Sequence, residues 1–310
     1  MGARPGAIAF GSGSLWVANL DDQNISRVDP TTLRTLAAVT VGEPPTGIAA
    51  AGGRVWVVAP NPTTSSVSVR QIDAQFSRIG SPIPIGTVVP GSPGAIAARG
   101  DTLWVAPASG ELTRLDPATG RILEHRDPNA SPTAIDLGAD GALWVTDNEA
   151  DNVTQVDRTG LVNAIAVGHG PSGIAVGDGG VWVAYTGDDE VVRFDPSTRA
   201  VTATISVGHA PVGVALGAGS VWVANSGDGT VTRIEPKSEK TTTIAVGGSP
   251  QAITVAGGRA WLTVDAQTIP PTGVAQSGGR ARLVAAYDIG PMDPPLAGPA
   301  ASMLLYATCA

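Results

Sequence analysis

Seven tryptophans recur at near-constant spacing, and that period constrains the fold more than any other feature. They are Trp16, Trp56, Trp104, Trp144, Trp182, Trp222 and Trp261, separated by 40, 48, 40, 38, 40 and 39 residues. A repeat of this length points to propeller blades or to a helical solenoid. The residues around each tryptophan favour the first. Forty Gly and 25 Pro in 310 residues supply many tight turns, and no stretch shows the 3.6-residue apolar period of a helix.

The sixth copy is the clearest. Val212 to Leu216 is small or apolar, as an inner strand buried on both sides should be. Gly217-Ala-Gly219 makes a tight turn, and Ser220 to Asn225 is a second strand with Trp222 at its centre. Ser226-Gly-Asp-Gly229 turns into a third strand, Thr230 to Ile234. Glu235-Pro236 ends it, and Thr241 to Val246 is a β-branched fourth strand. Copies begin at Pro5, Pro45, Pro93, Pro132, Pro171, Pro211 and Pro250, each followed three residues on by Ile or Val. The third strand closes on Arg27-Val-Asp29-Pro30, Arg114-Leu-Asp116-Pro117, Arg193-Phe-Asp195-Pro196 or Arg233-Ile-Glu235-Pro236. Asp before Pro favours a turn, and the Arg offers a charge partner.

The expected fold is all-β: a seven-bladed β-propeller of four-stranded antiparallel blades over residues 1–265, its last blade incomplete or closed irregularly. The seventh copy has two strands, Gln251 to Val255 and Arg259 to Val264, but no Arg-x-Asp-Pro segment. Met1 to Pro5 fits a junction between copies, so the missing strands are expected upstream of Met1 in a longer parent, or replaced by Ala281 to Tyr287. Residues 266–280 read as a linker with Pro270-Pro271 and Ser277-Gly-Gly279. The tryptophans read as packing between blades, since one ligand would rarely touch all seven.

A net charge of −8 with no Lys/Arg cluster argues against nucleic acid and anionic membrane as partners. Apolar runs are strand-sized, so direct membrane insertion is not expected, and no N-terminal signal is recognised in this chain. Cys309 alone provides neither a disulfide framework nor a cysteine zinc site.

In a propeller the loops joining the second to the third strand share a face with those joining one blade to the next. On that face lie His169 and His209 at equivalent positions in adjacent copies, Val167-Gly-His-Gly-Pro171 and Val207-Gly-His-Ala-Pro211. Carboxylates crowd the other loops: Asp21, Asp22, Glu149, Asp151, Asp188, Asp189, Glu190 and Asp228. A His pair beside carboxylates can hold a divalent metal or do acid–base work. Solvated imidazoles and turn-forming carboxylates explain the same residues. His169, His209, Asp188, Asp189, Glu190, Asp228, Asp21 and Asp22 are therefore ligand-face candidates, with no catalytic, metal or cofactor assignment.

The repeat, with its Gly-Ile-Ala-Val-Gly, Val-Trp-Val-Ala-Asn and Arg-Ile-Asp-Pro elements, resembles the YVTN-type and streptogramin-lyase-like bacterial β-propellers. The resemblance covers residues 1 to about 265. It implies either a non-enzymatic scaffold or sensor, presenting its loop face to a small ligand or protein, or a metal-assisted lyase. The sequence favours the first, because no His–Glu pair sits at repeated channel positions and the second strands end on Asn19, Asp147, Tyr185 and Asn225. Residues 281–310, with Arg282-Leu-Val-Ala-Ala-Tyr287, Met292-Asp-Pro294 and Leu304-Leu-Tyr-Ala-Thr-Cys-Ala310, resemble the start of a family 5 extracellular solute-binding protein of ABC importers. That resemblance implies an extracytoplasmic parent linked to solute transport.

Overall fold

The computed structural model describes residues 4–61, 63–87, 94–107, 110–166 and 168–265, together with the backbone of 283–288. Every described regular element is a strand. Six antiparallel blades of at least four strands occupy residues 5–40, 47–87, 95–126, 134–166, 171–206 and 211–245. In each, chain order is also sheet order from the channel outward, with one departure. The second blade carries an extra strand, Ile83–Thr87, beside the short Arg78–Ile79, and both pair with Ser66–Asp73. This is where the sequence has its additional residues.

The expectation of seven four-stranded blades is corrected. Six repeats reach four strands; the seventh yields a three-stranded sheet of Ser249–Ala256, Arg259–Asp265 and Leu283–Asp288. The physical reason lies in the sequence: no Arg-x-Asp-Pro segment follows Trp261, and Leu283–Asp288 pairs with Arg259–Asp265 in the third place. Linker 266–280 and residues 289–310, Cys309 included, lie outside the described residues.

The tryptophans sit where packing demands them. Each second strand is buried through its centre, and Trp16, Trp56, Trp144 and Trp182 are fully buried. Seven apolar clusters alternate with the sheets. One joins Trp16 to Ile48, Val55 and Val57 of the next blade; the last joins Trp261 to Ile8, Leu15 and Val17. The closing sheet thus packs on the first blade, and Thr263 Oγ1 donates to the Gly6 carbonyl at 2.5 Å. Burial of this kind is worth about 25 cal/mol per Å² of apolar surface.

The Arg-x-Asp-Pro element divides its labour. Arg27, Arg193 and Arg233 lie over the rings of Trp16, Trp182 and Trp222 at 5.4, 5.2 and 5.7 Å from the ring centroids. Arg27 Nε also donates to Ser14 Oγ at 2.9 Å. The carboxylates turn the chain instead: Asp195 Oδ1 accepts from the Ser197 and Thr198 amides at 2.8 and 2.9 Å. These bonds, with the Ser197 hydroxyl foremost, hold its carboxyl down at about 2. The inner hairpins need glycine. In the sixth blade Gly217 pairs with Ser220, so the loop is Ala218-Gly219, with φ of 50° and 70°. Two successive positive φ values match the right-handed twist of the flanking strands.

Candidate functional site

The loop face is assembled from two kinds of loop that pair with each other. Between the fourth and fifth blades, the Gly170 carbonyl accepts from the Thr186 amide at 3.0 Å and the His169 carbonyl from Gly187 at 3.1 Å. Between the fifth and sixth, Ala210 and His209 accept from Ser226 and Gly227 at 2.9 Å each. Carboxylates complete both junctions. Asp151 accepts from the Gly170 amide at 2.7 Å, and the equivalent Asp189 from the Ala210 amide at 2.8 Å. Asp188 accepts from the His169 amide at 2.6 Å, and the equivalent Asp228 from the His209 amide at 3.0 Å. Each inter-blade loop is therefore clamped by a carboxylate from either side. Short Asp side chains suit this work because they reach backbone amides within a tight turn.

The two imidazoles break the symmetry of the junctions. His169 Nδ1 lies 3.0 Å from Asp188 Oδ1, a carboxylate of the blade that follows it. His209 Nδ1 lies 3.0 and 2.9 Å from the two oxygens of Asp189, in the blade that precedes it. Both pairs thus converge on one loop, that of the fifth blade. A carboxylate can only accept, so each Nδ1 carries a proton and each Nε2 is the ring's second nitrogen, an acceptor when the imidazole is neutral. The rings stay accessible: His169 is 78% and His209 67% exposed in its side chain.

The charges respond accordingly. The hydrogen bond from Asp188, then its charge and that of Asp151, raises His169 above the ordinary imidazole value. Asp189 does the same for His209, with a smaller contribution from Asp228. In return the His169 amide and ring lower Asp188, and the His209 ring lowers Asp189. Glu190 is raised by burial and by Asp188. Beneath them Tyr185 is fully buried at the end of its strand; burial, then Glu190, Asp188 and Asp151, pushes its hydroxyl far up. That hydroxyl has no hydrogen-bond partner among the described residues.

The remaining candidates are placed elsewhere. Asp21 pairs with Arg4 at 3.3 Å in the first blade, and Asp22 lies in the same loop, three sheets round the ring from Asp188. Asn225 Nδ2 donates to Thr230 and Thr232 hydroxyls at 2.9 Å each, and Asn19 holds Asn24 and Ser26 likewise. Asp147 accepts from the amides of Ser131, Glu149 and Ala150. The polar ends of the second strands are thus turn anchors. Among the described residues, no three His, Cys, Asp or Glu side chains are grouped to hold a metal ion. The His–Asp pairs offer one imidazole nitrogen each.

Sequence reasoning singled out both histidines and both of their carboxylates, but paired neither. The clamping role of Asp151 follows from its alignment with Asp189. Two channel residues, Asp136 and Arg99, went unnoticed, although superposing the repeats exposes them.

Residues 88–269 match the virginiamycin B lyase family. No curated relative matches the sequence. Among solved structures, a streptogramin B lyase shares 19% identity at a TM-score of 0.72, covering 85% of this chain and 91% of its own. A catalytically inactive Staphylococcus aureus virginiamycin B lyase with quinupristin shares 18% at 0.69, covering 83% and 90%. Kuenenia stuttgartiensis hydrazine synthase shares 15% at 0.70, covering 84% and 92%. At these identities the likeness is one of fold.

Proposed function

We propose, from the premise that the chain belongs to the virginiamycin B lyase family, that it is a non-enzymatic ligand-binding module whose site is the loop face around residues 186–189. The observation that carries this reading is the convergence of His169–Asp188 and His209–Asp189 on one loop. Each imidazole is fixed through Nδ1 and presents its exposed ring to a ligand. Adjacent carboxylates keep both rings protonated to higher pH than usual, so the face offers N–H donors to an acceptor group such as a carbonyl or carboxylate. The clamped loops hold these donors on strands that are rigidly packed, which lowers the ordering cost of binding. Sensing linked to solute uptake outside the cytoplasmic membrane belongs to the same proposal.

A second reading has a specific observation in its favour. An imidazole backed by a carboxylate, with Nε2 outward, is also the arrangement of a general base, and an elimination of the lyase type begins with proton abstraction. Quinupristin separates the two. Wild-type protein is titrated with it while the imidazole resonances are followed by NMR, and the mixture is then resolved by reversed-phase chromatography, because an elimination that opens the ring breaks a C–O bond, forms a C=C bond and leaves a product isomeric with the ligand. Shifts of both imidazoles with the ligand recovered at its original retention time support the binding reading. Ring opening that disappears in His169→Ala and His209→Ala replaces it with the lyase. No shift and no turnover removes this ligand class from the face.

A further inference from the structure

The inner strands carry a second departure from the repeat, away from the loop face. In every sheet one inner-strand residue stands opposite the tryptophan: Ala9, Ala49, Ala97, Ala175 and Ala215 in five blades and Thr254 in the closing sheet. In the fourth blade that residue is Asp136, opposite Trp144. Two places further along the inner strand, the other copies have Gly or Ala: Gly11, Ala51, Gly138, Gly177, Gly217 and Ala256. The third blade has Arg99. Five copies fold without either charge, so the blade itself does not require them.

Both side chains meet at Val176 of the fifth blade. Asp136 Oδ2 accepts from the Val176 amide at 2.7 Å, and Oδ1 from its neighbour Leu137 at 2.7 Å. Arg99 Nη2 donates to the Val176 carbonyl at 2.6 Å, reaching past the whole fourth blade. Burial among the inner strands pushes the Asp136 carboxyl up, against the pull of the two amides and Arg99. Each group retains capacity: the carboxylate has further lone pairs, and the guanidinium has further N–H donors. They border a cavity of about 450 Å³ on the channel axis, whose other walls are Ile96, Ile135, Ile174, Val214 and Ile253 with their strand edges. Asp136 and Arg99 are the charged residues of that lining. A volume in the range of small-molecule sites (roughly 300–1,000 Å³) and a few fixed polar groups are marks of such a site.

We propose that the channel is a binding site for a small zwitterion of the α-amino-acid class, its ammonium group on Asp136 and its carboxylate on Arg99. One acid and one base on the same wall match two opposite charges on one ligand. Neither a simple anion nor a simple cation uses both. The site is distinct from the loop-face histidines and stands or falls without them.

L-leucine is the probe, with the full chain, in isothermal titration and saturation-transfer NMR. N-acetyl-L-leucine lacks the ammonium and L-leucinamide lacks the carboxylate. The expected result is one leucine per chain, with affinity at least tenfold weaker for both derivatives and for Asp136→Ala and Arg99→Ala. Those variants install residues that other copies already carry, and Asp136→Thr, the residue of the closing sheet, is a second choice if Asp136→Ala melts early. His169→Ala leaves leucine binding unchanged. The proposal is overturned if wild type gives neither heat nor saturation transfer with leucine. It is equally overturned if the folded Asp136 variants bind leucine as wild type does, which would leave the pair as a buttress for Val176.

Discussion

Asp188 and Asp189 are consecutive residues, yet each accepts from the Nδ1 of a different histidine, one on either side of the fifth blade. A single loop therefore sets the protonation of two side chains from two inter-blade junctions. That arrangement makes the two titrations separable by mutation. Asp188→Asn is expected to return His169 toward the ordinary imidazole value of about 6.5 while His209 keeps its raised one. Asp189→Asn does the reverse. Histidine ring resonances followed from pH 4 to 9 check this, and equal shifts of both rings in either variant would contradict it.

The same pairs fix the sign of a pH dependence. Both imidazoles have folded values above the unfolded one, so their contribution is fully present below about 6.5 and is lost as pH rises through the raised values. Asp188 and Asp189 are depressed, so theirs is present above about 3.9 and is lost as pH falls through the lowered values. The window common to both runs from about 4 to 6.5. These groups are exposed, and the effect is small. Subtracting the melting profile of His169→Ala/His209→Ala from that of wild type should leave a difference largest inside that window and shrinking on both sides.

Much of this fold is legible in the sequence because repetition multiplies the signal. Trp222 has six counterparts, and the turn of Ala218-Gly219, with two successive positive φ values, recurs in five of the seven sheets. What the repeat could not convey is closure. Leu283–Asp288 carries no blade motif, and its place beside Arg259–Asp265 is decided by an unpaired strand edge rather than by a pattern. The site was half legible for a related reason. His169 and His209 look equivalent in sequence, and their backbones are, yet their rings choose carboxylates on opposite sides. Only side-chain geometry distinguishes them. Asp136 was readable by aligning copies, where one charge stands among alanines.

Removing residues 266–310 tests the closure directly. The third strand of the closing sheet is lost, which bares the edge of Arg259–Asp265. An exposed edge recruits other chains. Lower melting temperature and concentration-dependent self-association in ultracentrifugation are expected; a monomer that melts as the full chain does would show the strand to be dispensable.

Asn225 tests whether the polar strand ends are anchors. It is fully buried and ties the start of the third strand through Thr230 and Thr232. Truncation to Ala strips a buried donor from two hydroxyls, a loss of about 1–3 kcal/mol. Chemical denaturation should report that loss with an unchanged slope. A variant as stable as wild type would remove the anchor role.

The inner strands give the sharpest contrast, because two equivalent glycines meet different neighbours. A Cβ on Gly173 would lie 2.7 Å from the Val212 carbonyl oxygen, 2.8 Å from Gly213 Cα and 2.9 Å from the Val214 nitrogen, all of them backbone. Nothing there can rotate away, so Gly173→Ala must separate the fifth and sixth inner strands, at a cost in the range of about 1–3 kcal/mol for overpacking. A Cβ on Gly213 meets Ile253 Cγ2 at 3.4 Å and nothing closer, which is ordinary contact. Gly213→Ala is then neutral or stabilising by up to about 1 kcal/mol, through the reduced freedom of the unfolded chain. Paired urea melts decide the matter. Equal effects at the two positions would mean that the fifth and sixth inner strands approach no more closely than the sixth and the closing sheet.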